Sequence, residues 1–244
     1  MEVVLNKKDL KILNNIYDKE SFFKAYQKYR KDPFSLNNIV EQPFIRKNLP
    51  IVKNQKILDL GSGFGDFCEY CIGKDCKDII GVDSSKRMII ASKNLNSKIK
   101  FVHDHIELVE FGENSFDIVS SSLALHYIEN LDLVFKKIQG WLKEKGVFIF
   151  TVNHPYYSAK FENITDDVKE RLSSSSENYA LRGFRKHKWL DHYVSKYHRT
   201  LEDYLLIIKK NGFFVDKINE LYLPNKKVSE NTLPKLIAFR LIKV

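Results

Sequence analysis

Cysteine is scarce in this chain: Cys68, Cys71 and Cys76 are its whole complement. Cys68 and Cys71 have the spacing of a metal or redox pair, yet no second pair is present to complete a zinc site. They fall on a stretch that reads as a packed helix, so buried free thiols are expected and no metal. Long apolar runs are missing too. None approaches the roughly 18–20 residues that cross a bilayer. The first residues, Met1-Glu2-Val3-Val4-Leu5-Asn6-Lys7, lack the basic-then-apolar pattern of a secretory leader, and a cytoplasmic protein without a membrane partner is the expectation. Acidic residues are in deficit, with 31 Asp and Glu against 40 Lys and Arg and a net charge of +9. The excess is spread along the chain, densest at Arg182, Arg185, Lys186, His187 and Lys188, with Phe184 and Trp189 interleaved. A charge run of this kind is usually a solvated face, so a nucleic-acid partner is not expected.

What remains is the composition of a soluble globular protein, 43% hydrophobic and 29% charged, long enough for one α/β domain with a lid or for two small domains. Residues 9–31 read as one helix, with Leu10, Leu13, Ile16, Tyr17, Phe22, Phe23, Tyr26 and Tyr29 at three-to-four spacing, broken by Asp32-Pro33. A second short helix spans 36–47. Strands are expected over 56–60, 78–83, 99–103, 116–121, 147–152, 213–221 and 236–244. Helices are expected over 64–73, 86–95, 131–142 and 200–211. Strands alternating with helices imply βαβ units and a buried parallel sheet. Residues 153–199 show no clear periodicity. A segment this long after a strand's C-terminal end reads as a functional lid, partly mobile at Ser173-Ser174-Ser175-Ser176.

The most informative run is Ile57-Leu58-Asp59-Leu60-Gly61-Ser62-Gly63-Phe64-Gly65-Asp66, followed one helix later by Ile79-Ile80-Gly81-Val82-Asp83. An apolar strand opens into a glycine-rich turn, and a second strand ends in a carboxylate about twenty residues on. This arrangement suits an adenosine-type cofactor, because glycines let the backbone approach the ligand and the acid takes ribose hydroxyls. A dinucleotide oxidoreductase would use G-x-G-x-x-G. Here the third glycine falls one residue early and Asp59 precedes the turn.

That spacing resembles motif I of the class I S-adenosylmethionine (SAM)-dependent methyltransferases, with Asp83 standing at their ribose-binding acid. Phe101-Val102-His103-Asp104-His105-Ile106 is similar to the family's third-strand motif, and Asn114 through Tyr127 resembles the fourth-strand motif. Lys143-Glu144-Lys145-Gly146-Val147 parallels the usual Lys-Pro-Gly-Gly leader with the proline and one glycine lost, and Ser62 replaces a frequent Cys or Ala. Asn153-His154-Pro155 and Tyr197-His198-Arg199-Thr200 are similar to a bacterial, type 11-like branch. The likeness runs from Gln42 to Val244.

The resemblance implies an α/β fold: a seven-stranded, doubly wound, mostly parallel Rossmann-like sheet whose last strand is inserted antiparallel, with N-terminal helices and a cap after the fifth strand. Residues 1–50 would form a helical cover, 51–153 with 200–244 the SAM-binding domain, and 154–199 the acceptor-binding cap. Gly61 and Gly63 would pass under the methionine and ribose, Ser62 lies between them, and Gly65 starts the next helix. Asp59 would orient the loop or reach the amino group through water. Asp83 would accept both ribose hydroxyls, a charge-assisted pair. Ser84 and Met88 would flank the adenine, Asp104 and His105 meet its edge, and Ser121 offers backbone near the sulfonium.

Because the sulfonium activates the methyl group, the protein mainly supplies proximity, alignment and exclusion of water. A base is needed only where the nucleophile must lose a proton. Candidates are His126, His154 and His198, with Tyr127, Tyr156 or Tyr197 as positioning groups. The fourth strand is not followed by the Asn/Asp-Pro-Pro-aromatic motif of amino-directed nucleic-acid enzymes, by a Pro-Cys nucleophile, or by the acids that place Mg²⁺ in catechol-type enzymes. The expected activity is methyl transfer from SAM to an O or N atom of a small-molecule acceptor, by a monomer or homodimer. Tyr156, Tyr157, Phe161, Tyr179, Phe184, Trp189 and Tyr193 would set acceptor selectivity. An RNA- or protein-directed methyltransferase and a non-catalytic SAM-binding regulator are the alternatives.

Overall fold

Alternation of apolar side chains within each strand sets the layers. In β1 (Lys56–Leu60) Ile57 faces one layer of helices while Leu58 and Leu60 face the other. The same alternation separates Ile118 from Val119 in β4 (Phe116–Ser122), and Ile149 from Phe148 and Phe150 in β5 (Leu142–Asn153). A sheet apolar on both faces must be covered on both. A computed structural model describes residues 15–163, 177–223 and 233–244 of the chain. Residues 9–14 of the expected first helix and the serine tract of the expected lid lie outside the described residues.

The main sheet has seven strands in the order β3-β2-β1-β4-β5-β10-β9. Here β2 is Asp78–Asp83, β3 is Lys100–His103, β9 is Phe213–Leu221 and β10 is Leu236–Lys243. Neighbours from β3 to β5 pair in parallel, and β10 lies antiparallel between β5 and β9. The strand order reverses direction at β1, and the crevice beyond the C-terminal ends of β1 and β4 is where doubly wound sheets bind ligands. One face packs against α5 (Leu131–Trp141) and α7 (Leu201–Lys210) through Val134, Phe135, Ile138, Tyr204 and Ile208. The other packs against α3 (Asp66–Ile72) and α4 (Lys86–Leu95) through Phe67, Cys68, Cys71 and Ile89.

Two regions depart from the sequence-based expectation. The expected first helix is interrupted: a 3₁₀ turn at Ile16–Asp18 precedes α1 (Glu20–Lys31), and Lys19 between them is extended. Asn15 and Asp18 turn their side chains to neighbouring backbone and to α4 instead of into a helix. The second helix begins as a π turn over Asn37–Glu41 and continues as α2 (Gln42–Asn48). In the segment after β5 the described residues form regular elements where no periodicity was legible. Following the single turn of α6 (Pro155–Ser158), a second sheet of three antiparallel strands forms from β6 (Glu162–Asn163), β7 (Gly183–Trp189) and β8 (His192–His198). The buried positions of this hairpin are Arg185, Val194, Lys196 and His198. A mostly basic inner face hides the alternation that ordinarily betrays a strand.

Candidate active site

The glycine turn is shaped by its neighbours. Gly61 has φ +78° and a Cβ there would lie 2.4 Å from the Ala124 Cβ, so only glycine lets β1 and the end of β4 come this close. Leu123 also has positive φ, +53°, which a non-glycine residue adopts at a cost, and its N–H is held by the Thr151 carbonyl. The result is a wall of Leu123 and Ala124 against the glycine turn. Beside Gly63, at φ +54°, a Cβ would meet nothing within 4 Å. The space over the turn is open.

Asp83 closes this region from β2. One carboxylate oxygen accepts the Gly63 N–H and the other the Ser85 N–H, each at 2.8 Å. Burial pushes its pKa up to about 6, which the two amides oppose. Each oxygen keeps a further lone-pair direction for a hydroxyl donor.

A cavity of about 820 Å³ spans these residues and the cap, a size usual for small-molecule and cofactor sites. Gly61, Gly63, Asp83, Ser84, Met88 and His105 line one end. His126, Tyr127, Trp189, Tyr193, Lys196 and Tyr197 line the other. The N-terminal turn forms a third side and is bolted down. Asn15 donates to the Ser84 hydroxyl at 2.9 Å, Asp18 accepts from the Ser85 hydroxyl and the Arg87 amide, and the Tyr17 and Tyr127 hydroxyls meet at 2.9 Å. Tyr26 packs edge-on to Tyr17 and Trp189, joining α1 to the hairpin.

The other sequence candidates stand behind this cavity rather than on it. Strand alternation turns Asp59 toward α3, where its carboxylate accepts from the Cys68 thiol and burial raises its pKa to about 8. Ser62 is buried, and its Oγ packs toward Gly81. Asp104 accepts the His105 N–H at 2.9 Å. The Ser121 hydroxyl donates to the Leu60 carbonyl, bracing β1 against β4.

The three histidines separate clearly. His126 lines the cavity, with its Nδ1 accepting the Asn153 N–H at 3.2 Å. Burial and nearby cations hold its pKa well below the ordinary range. The ring is therefore neutral with the proton on Nε2, which has no partner among the described residues. In that tautomer neither nitrogen is free to take a proton. His154 caps α6 through Nδ1 and meets Glu220 at 3.0 Å through Nε2. His198 is held by the Ser158 hydroxyl and the Tyr179 carbonyl. Both lie off the cavity lining, with every ring nitrogen engaged: His154 by the Tyr156 N–H and Glu220, His198 by Ser158 and the Tyr179 carbonyl.

Pattern reading missed Glu41 and Lys196. Glu41 is fully buried, accepting from Ser122, Thr151 and Gln42, and ties the second helix to the ends of β4 and β5. Lys196 sits on a strand with no periodic signal, so nothing marked it. The basic stretch of the cap is not one exposed face. Arg185 is buried on the Leu181 carbonyl, Arg182 pairs with Asp203, Lys188 pairs with Asp191, and His187 lines the cavity. Among the described residues no cluster of His, Cys, Asp and Glu is arranged to hold a metal, and no helix is long and apolar enough to cross a membrane. Cys68 and Cys71 are buried free thiols whose pKa values burial raises.

Residues 58–150 match the methyltransferase-domain family, a span running from β1 into β5. A solved structure from Listeria monocytogenes, assigned to the SAM-dependent methyltransferases, is 31% identical and superposes with a TM-score of 0.73 over 84% of this chain and 96% of that one. This chain belongs to the class I SAM-dependent methyltransferases. An uncharacterized protein of Haemophilus influenzae shares 31% identity with this methyltransferase over 91% of its chain and 92% of the relative. The phosphoethanolamine N-methyltransferase of Plasmodium falciparum is 33% identical, covering 52% of this methyltransferase and 48% of that enzyme. SAM is its methyl donor, and the open space over Gly63 and the paired oxygens of Asp83 fit that group.

Proposed function

We propose that this methyltransferase transfers the methyl group of SAM to an O or N atom of a small-molecule acceptor. The observation carrying the reading is the single cavity shared by the glycine turn, Asp83 and the aromatic wall of the cap. In this assignment Gly61, Gly63, Asp83, Ser84, Met88 and His105 hold SAM, while Asp59, Ser62, Asp104 and Ser121 fix the backbone that does so. Residues 154–199 with the N-terminal cover, 1–50, hold the acceptor over the core formed by 51–153 and 200–244. When bound, SAM supplies a methyl group already activated as a sulfonium. The chain's residues align the acceptor and exclude water, which is where most of the rate acceleration in such a displacement arises. His126 serves as a neutral part of the cavity wall rather than as a base. Two further observations favour a small acceptor. Arg182 and Lys188 of the cap are paired with Asp203 and Asp191, Arg185 is buried, and a relative acts on phosphoethanolamine.

The test has two stages. Calorimetric titration is expected to show micromolar binding of SAM and S-adenosylhomocysteine and none of NADH. Isotope-labelled SAM incubated with a cell extract is then expected to label the small-molecule fraction. Label confined to RNA or protein would overturn the acceptor class. Absence of binding by either sulfur ligand would favour a non-catalytic protein.

A further inference from the structure

The acceptor end of the cavity contains a cation with no counter-ion among the described residues. Lys196 projects from β8, is 7% exposed and lines the cavity. Its ammonium donates to the Asn153 side-chain oxygen at 2.8 Å and lies 5.3 Å from the Tyr127 ring centre and 5.6 Å from that of Trp189. Among the described residues no carboxylate pairs with it. An ammonium has three donors, so two remain after Asn153. Asn153 also fixes a second donor, since its backbone N–H occupies His126 Nδ1 and leaves the proton on Nε2, unpartnered. One residue at the end of β5 thus positions both side chains in the cavity wall. A buried cation without a counter-ion is costly.

Resting on the small-molecule reading above, we infer that Lys196 is the receptor for an oxyanion of the acceptor. The acceptor is a compact carboxylate or phosphate ester whose apolar body lies among Tyr17, Tyr26, Trp189 and Tyr193. The arrangement selects against a cationic group at this end, because Lys196 already lies over the Tyr127 and Trp189 rings and repels a second positive charge. Burial lowers the Lys196 pKa to about 7, and an anion beside it restores the charged form.

The chain has two tryptophans, Trp141 in the core and Trp189 beside Lys196, so fluorotryptophan labelling gives one reporter at the site and one internal control. The experiment saturates the labelled protein with S-adenosylhomocysteine and titrates it with benzoate and phenyl phosphate, then with benzamide and benzyl alcohol. At least one anion is expected to shift the Trp189 resonance saturably, and at least about tenfold more tightly than its neutral counterpart. Lys196→Met is expected to abolish that preference while leaving S-adenosylhomocysteine affinity unchanged. Silence toward both anions, equal response to neutral and anionic probes, or an unaltered preference in Lys196→Met would overturn the proposal. Failure to bind S-adenosylhomocysteine would instead count against the methyl-transfer reading itself. Lys196→Arg keeps the charge, and retention of the anion preference there separates loss of binding from loss of folding.

Discussion

Asp59 and Asp83 belong to neighbouring strands and, with Asp59 paired to Gly81, share one face of the sheet. Their depth along the strands gives them different tasks, Asp83 ending β2 at the cavity and Asp59 lying one step deeper under the helix layer. Asp83 points into the cavity with two amides on its oxygens; Asp59 points into the helix layer with a thiol. Asp83→Asn is expected to weaken S-adenosylhomocysteine binding about tenfold to a hundredfold by calorimetry, the loss of charge-assisted acceptance. Asp59→Asn is expected to act on stability. The ordinary aspartate value is 3.8, and in the fold Asp59 is raised to about 8. Below the lower value both states are protonated and there is no penalty. Between the two values the unfolded chain has released its proton while the folded one has not, so stability falls as pH rises and the penalty is complete above about pH 8. The midpoint difference favouring Asp59→Asn should therefore grow from about pH 5 to about pH 9, and a constant difference would refute this account. The glycine turn and Asp83 were legible because strand, turn and acid must recur at a fixed spacing. The tautomer of His126 and the existence of Lys196 as a site residue were not, since each depends on a contact with Asn153, far away in the chain.

Elements with strong punctuation were readable from sequence, and those without it were not. Strand β9 was expected over the residues it occupies because Gly212 stops the helix before it, and in the structure a reciprocal capping box of Thr200 and Asp203 opens that helix, α7. Thr200→Ala is expected to cost about 1 kcal/mol in denaturant unfolding, with an unchanged dependence on denaturant. The β7–β8 hairpin was invisible for two reasons. Its inner face is mostly basic, and its two-residue turn is Leu190-Asp191, at φ +50° and +60°, in place of the Asn-Gly that usually announces such a turn. Replacing Leu190-Asp191 by Asn-Gly is expected to raise the thermal midpoint by relieving two left-handed side chains, without altering cofactor affinity. An unchanged or lower midpoint would mean that this turn is not held in the left-handed region.

At the scale of the molecule, the alternating strands and helices determined the layers, but the closure of the cavity comes from long-range bonds. The N-terminal turn reaches α4 through Asn15 and Asp18 and reaches the end of β4 through Tyr17. It touches the groups assigned to the cofactor, Ser84 among them, and also the aromatic wall assigned to the acceptor. An element that contacts both ligands and is held by a few side-chain hydrogen bonds, rather than by sheet pairing, opens more readily than the sheet. Ligand bound beneath it must then reduce its opening, since binding stabilises only the closed form. Hydrogen exchange is therefore expected to slow at least about tenfold over residues 15–32 and around Gly63 and Ser85 when S-adenosylhomocysteine is added, with β9 and β10 unchanged. Tyr17→Phe, which removes one hydroxyl from the Tyr17–Tyr127 pair, should shrink that protection over 15–32 while leaving it intact around Gly63. Equal protection throughout the chain would indicate global stabilisation alone and would remove the case for the N-terminal turn as a cover.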